Sequence, residues 1–141
     1  MTGPRRQGPG ASARAGIAYF ATVFAAGFVL GTVRTLLLVP GLGELAAVLV
    51  EIPFMLLVAW MACRWLVRRF SVPSRATDRL VMGGVGFALL MVAELLLTLA
   101  LGNGPAAFLA GFAEPAGAAG LAAQVVFALL PLGVARGGNT P

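Results

Sequence analysis

The chain contains no histidine, no lysine and a single cysteine, Cys63. One thiol closes no disulfide within the chain, and without histidine no Cys/His cluster can hold zinc, which excludes structural zinc and dithiol redox chemistry. No cofactor or metal is expected. Cys63 lies in an apolar run and reads as a small buried hydrophobe. Charge is scarce as well. Charged residues make up 11% of the chain against 60% hydrophobic, whereas a soluble globular domain carries roughly 25% charged residues. That deficit excludes an ordinary soluble domain and points to a membrane protein. Ten arginines oppose five acids, for a formal charge of +5. In a soluble chain this balance would raise the question of nucleic acid. Here the arginines stand mostly at the ends of apolar runs, where topology control accounts for them, and no nucleic-acid partner is expected.

What the sequence has in abundance is long apolar runs. Residues 1–14, MTGPRRQGPGASAR, offer nothing apolar to bury and read as a disordered basic tail. Four runs follow at about 15–39, 44–67, 79–101 and 116–135, each near the ~20 residues that cross ~30 Å of hydrocarbon. A short C-terminal tail occupies 137–141. The expected fold is an all-α membrane protein with four transmembrane helices in one bundle over 15–136. The first run follows a basic segment as a signal peptide would. It is longer than the roughly 7 to 15 apolar residues of a signal core, so an uncleaved helix is expected.

Arginine position sets the expected orientation. Arg5, Arg6 and Arg14 precede the first helix, Arg64, Arg68, Arg69, Arg75 and Arg79 flank the second connection, RRFSVPSRATD, and Arg136 follows the fourth helix. The first and third connections, PGLG and GNGPAAFLAGFAEP, carry no arginine. The positive-inside rule then makes both termini and the middle loop cytoplasmic. Trp60, Trp65 and Phe70 interleave with Arg64, Arg68 and Arg69, a pattern expected of an interfacial belt whose snorkelling arginines meet anionic lipids at the cytoplasmic face.

Several ionisable and amide side chains nevertheless fall inside the apolar runs. With about 1.5 Å of rise per residue, Arg34, Glu51, Glu94 and Gln124 all lie about 7 to 12 Å in from the outward ends of their helices. Gly27, Gly31 and Arg34 share one helical face, and Gly117, Gly120 and Gln124 another, so both polar groups should look toward neighbouring helices across small residues. Glu44 and Glu51 are seven residues apart on one face of the second helix, and Glu94 has Thr98 one turn on. A lone charge at mid-membrane costs about 2.5 to 3.5 kcal/mol, so pairing is expected. Arg34 can neutralise Glu51, the better match in depth, or Glu44, the nearer in sequence. Glu94, left without a cation, is expected to hold its proton, with Gln124 and Thr98 as hydrogen-bond partners. Pro53 and Pro131 free the carbonyls of Leu49 and Phe127, which can then coordinate an ion or merely mark a kink.

The pattern R-x5-P-x2-G-E-x6-E-x-P, from Arg34 to Pro53, resembles one found in small four-helix bacterial inner-membrane proteins without an assigned activity. The resemblance covers the first two helices, implies multi-pass insertion in a bacterial inner membrane, and carries over no catalytic or binding residue. On function, the excess of acids over what a helix-pairing staple needs keeps open, beside the staple, a proton- or cation-linked transport protein, expected as a homodimer joined through a small-residue face. The alternative is an accessory or structural component of a larger membrane complex, with the cluster as a staple. A lipid-modifying enzyme ranks third, because no nucleophile or base with an orienting partner accompanies the carboxylates.

Overall fold

Proline and glycine punctuate the chain into helices. In the computed structural model, which describes residues 9–137, α1 (Pro9–Val33) runs through one π-helical turn (Arg34–Leu38) into α2 (Val39–Leu42). There follow α3 (Glu44–Arg69), α4 (Ala76–Ala100), a short α5 (Pro105–Gly111) and α6 (Pro115–Gly137). Pro9, Pro105 and Pro115 each open a helix, where the missing N–H leaves no bond unmade. Gly43 (φ 83°) ends α2 and Gly102 (φ 87°) follows α4, a left-handed conformation that a side chain resists.

Apart from shifts of one or two residues at the C-terminal ends of α3 and α4 and at both ends of α6, the boundaries depart from the sequence reading in four places. α1 begins at Pro9, so residues 9–14, assigned above to a disordered tail, are helical; residues 1–8 and 138–141 lie outside the described region. The reason is that small residues pack as well as large ones when backbones approach closely. Ser12 and Ala15 are fully buried, and a Cβ on Gly16 would sit 2.7 Å from the Met82 carbonyl of α4. Second, the PGLG turn is narrower than expected, with helix continuing to Leu42 and the chain reversing at Gly43. Third, α4 starts at Ala76, three residues before Arg79. Fourth, the third connection contains α5.

α1 packs on α3 and α4, and α6 packs on the same two. The four long helices therefore stand in a square, with α3 and α4, consecutive in sequence, on opposite corners. Contacts fix the registers: Ser12 meets Asp78 and Gly16 meets Met82, so α1 and α4 run parallel. Gly83 meets Ala128 and Gly86 meets Phe127, so α4 and α6 run antiparallel at very close range. The buried core, including Tyr19, Cys63, Leu66, Met82 and Phe127, fills the half of the bundle nearer loop 70–75, here termed the basic end. Arg79 closes that end. It is 4% exposed, and its guanidinium donates to the carbonyls of Pro73 (2.9 Å), Val72 (3.3 Å) and Pro131 (3.3 Å). Outside the core, large apolar side chains such as Leu37, Met61 and Trp65 are at least 60% exposed, as expected where lipid is the solvent. All four long helices are long and apolar enough to cross a membrane.

Candidate functional site

The distal half, opposite the basic end, does not close. A cavity of about 720 Å³ opens there between α1, α3, α4 and α6, within the range of roughly 300 to 1,000 Å³ that ligand pockets occupy.

Arg34 enters this cavity from the π-helical turn. Pro40 has no N–H and its ring crowds the carbonyl four residues back, so a regular α-helix cannot run through it unmodified. The chain widens by one residue just before it, with the Val39 N–H reaching back to the Arg34 carbonyl. Such single wide turns recur at functional sites. The Arg34 Nη1 lies 2.8 Å from Glu51 Oε2, the one ion pair among the described residues. The sequence left Glu51 and Glu44 as rival partners, and the geometry selects Glu51. Its side chain is 12% exposed, and the guanidinium meets it as a charge contact without hydrogen-bond alignment, so Oε2 has no hydrogen-bond donor. Glu44 stands exposed at the mouth and lines the cavity without a counter-ion.

Across the cavity, Gln124 Nε2 donates to Glu94 Oε1. Gln124 Oε1 is buried and unpartnered. Thr98, expected beside the Glu94 carboxylate, instead donates to the Glu94 backbone carbonyl at 2.9 Å; a threonine hydroxyl reaches the carbonyl one turn back more readily than a side chain on its own helix. Thr32 and Thr35, which also line the cavity, spend their hydroxyls the same way on Phe28 and Gly31. A second cavity of about 390 Å³ lies beneath α5 and brings Glu44, Glu94 and Glu114 to its walls. Among the described residues no three Cys, Asp or Glu groups converge as a metal site.

The floor of the cavity is aromatic. Tyr19 and Phe127 stack with ring centroids 4.2 Å apart, and the Tyr19 hydroxyl donates to the Phe127 carbonyl at 2.8 Å. That carbonyl is the one Pro131 frees, so its need is met by a hydroxyl rather than an ion. Half of this signal was available in the sequence, since an internal proline names the carbonyl it frees. Arg79 carried no comparable signal, because a loop-flanking arginine normally faces water or lipid headgroups.

Two further expectations need correction. Of the glycines read as packing residues, Gly27 faces Met55 across 3.3 Å and Gly117 packs against the Gly111 carbonyl. Gly31 has only the Arg34 guanidinium nearby, and Gly120 faces open space. The tight helix contacts are made by Gly16, Gly83 and Gly86, which the fixed spacing of four does not single out. In the aromatic and basic group, Arg64, Trp65, Arg68 and Arg69 are exposed, but Trp60 is half-buried against Gly133 of α6 and is a packing residue.

Fold and site together define an all-helical bundle, compatible with four membrane spans, whose mostly apolar cavity carries a few polar side chains, opens at one end and is floored at the other. No protein-family model, curated protein or solved structure matches the chain.

Proposed function

We propose that the chain is a small multi-pass transport protein of a bacterial inner membrane. Both termini are cytoplasmic, the cavity faces outward, Glu51 and Glu94 bind a proton or small cation, and Arg34 sets the charge they present. The observation that carries this reading is that acids from two different helices, α3 and α4, line one cavity, one neutralised by Arg34 and the other held only by a neutral amide. A staple that merely fixed helix pairing would need one acid for one arginine and no cavity between them. Under this reading the arrangement is an outward-open, inward-shut state, and passage requires the layer of Phe127 and the Tyr19 stacked on it to part. Partners under this reading are the bilayer itself, anionic lipids along the exposed arginines of the basic end, and a second copy of the chain.

Reconstituted protein tests it. Glu94→Gln and Glu51→Gln are each expected to lower proton or cation flux into proteoliposomes at least tenfold at unchanged protein incorporation. Flux unaltered by both substitutions removes the reading.

A further inference from the structure

The walls of the distal cavity have more to say about the occupant than its acids alone. Phe24, Phe28, Met55, Leu90, Leu121 and Phe127 line it, an apolar surface that a hydrated inorganic ion neither needs nor favours. The volume of about 720 Å³ is many times what a single bound ion requires, given metal–oxygen distances near 2.0 to 2.6 Å. The polar groups are also unbalanced in a particular direction. Three carboxyl groups, Glu44, Glu51 and Glu94, stand against the single cation Arg34, so that even with Glu94 holding its proton the Glu44 charge is in excess of the Arg34–Glu51 pair. Gln124 Oε1 is a buried acceptor lacking a donor, Glu51 Oε2 has only the Arg34 guanidinium beside it at 2.8 Å, and the hydroxyls of Thr32 and Thr35 are already given to their own helix. The cavity is thus short of hydrogen-bond donors and of positive charge, and long on apolar surface. The side cavity beneath α5 adds Glu114 to the same negative field, which concentrates cations at the mouth.

We propose that the cavity binds a protonated amine carried on an apolar aromatic or aliphatic body, with the N–H groups donating to Glu94, Gln124 Oε1 and Glu51 Oε2 and the body lying against the phenylalanines. The proposal deepens the transport reading and rests on the same cavity, but binding at equilibrium is a separate observable from flux. A soluble amine and an aminolipid headgroup share this chemistry; the commitment is to the soluble amine, because Glu44 stands exposed at the mouth, where a cation arriving from water meets it first.

The test uses the full chain in nanodiscs of phosphatidylcholine and phosphatidylglycerol, with empty discs subtracting partition into lipid. The probes are naphthylmethylammonium, its N,N,N-trimethyl analogue and naphthalenemethanol. The primary ammonium is expected to bind saturably, the trimethyl form at least tenfold more weakly because it has no N–H to donate, and the alcohol not measurably above empty discs. Glu94→Gln is expected to weaken the ammonium at least tenfold, and Glu94→Asp to retain most of the affinity. Equal binding of ammonium and alcohol by the unmodified chain overturns the proposal whether or not the variants fold, as does full affinity in a folded Glu94→Gln protein. Loss of amine binding when phosphatidylethanolamine is added to the discs overturns the soluble-amine assignment in favour of the aminolipid. Amine binding without any flux would remove the transport reading alone; proton flux without amine binding would remove this proposal alone.

Discussion

Tyr19 ties a residue-level rule to a measurable energy. Pro131 takes an N–H out of α6, which leaves the Phe127 carbonyl without its helical partner, and the Tyr19 hydroxyl supplies the missing donor at 2.8 Å. Tyr19→Phe keeps the ring stack and deletes the donor, leaving a buried acceptor unpaired at about 1 to 3 kcal/mol. A fall in thermal stability in mild detergent is therefore expected. Pro131→Ala returns an N–H to α6, so Tyr19→Phe in that background should cost less than half as much. Equal costs in the two backgrounds would show that the hydroxyl is not serving the orphan carbonyl. The acceptor half of this interaction could be read from the sequence, since an internal proline names the carbonyl it frees. The donor half could not, because nothing local says which distant side chain will arrive. Arg34 and Glu51 form the more legible pair: both are costly alone in hydrocarbon, the turn between them is short, and depth selects among the acids.

Helix existence followed from apolar run length, while helix packing followed from small residues that hydropathy counts as neutral. Residues 9–14 contain no large apolar side chain, yet Ser12 is fully buried because its smallness lets α1 lie against α4. The same effect decides which glycines matter. A Cβ on Gly83 would collide with the Ala128 carbonyl of α6, whereas one on Gly120 meets nothing within 4 Å. Gly83→Ala should destabilise by about 1 to 3 kcal/mol as α4 and α6 are forced apart. Gly120→Ala, which removes backbone freedom from the unfolded chain at no steric cost, should be neutral or stabilising by about 0.4 to 1 kcal/mol. Thermal unfolding of the two variants side by side checks both, and a reversed order would contradict the close α4 and α6 contact. Spacing alone pointed instead to Gly27 and Gly31, because a four-residue interval marks a face without saying what stands opposite it.

For the whole molecule, orientation is the property the arginine distribution speaks to most directly. With Cys63 replaced by serine, Gly41→Cys should react with a membrane-impermeant maleimide added to intact cells, and Ser74→Cys only after the membrane is opened; the opposite pattern would invert the topology and turn the cavity toward the cytoplasm. The square arrangement of helices could not be read from run lengths, since four spans of alternating direction can neighbour one another in more than one order around the bundle. It rests on contacts such as those of Gly16 and Gly83, between residues far apart in the chain.

Placing α3 and α4 on opposite corners has a mechanical result. Helix axes about 8 to 10 Å apart put a diagonal at about 11 to 14 Å, and the six residues Phe70–Arg75 reach at most about 20 Å when fully extended. The loop spans that diagonal with length to spare, and it is held in place by Arg79, which binds it at Val72 and Pro73, and by the Val72 side chain, which plugs into the core. At the other end the connection from α4 to α6 is longer and joins adjacent corners. The basic end is therefore the braced end of the bundle, and at the cavity end the one-residue link at Gly43 joins α2 to α3 while the α4 to α6 connection is the looser tie.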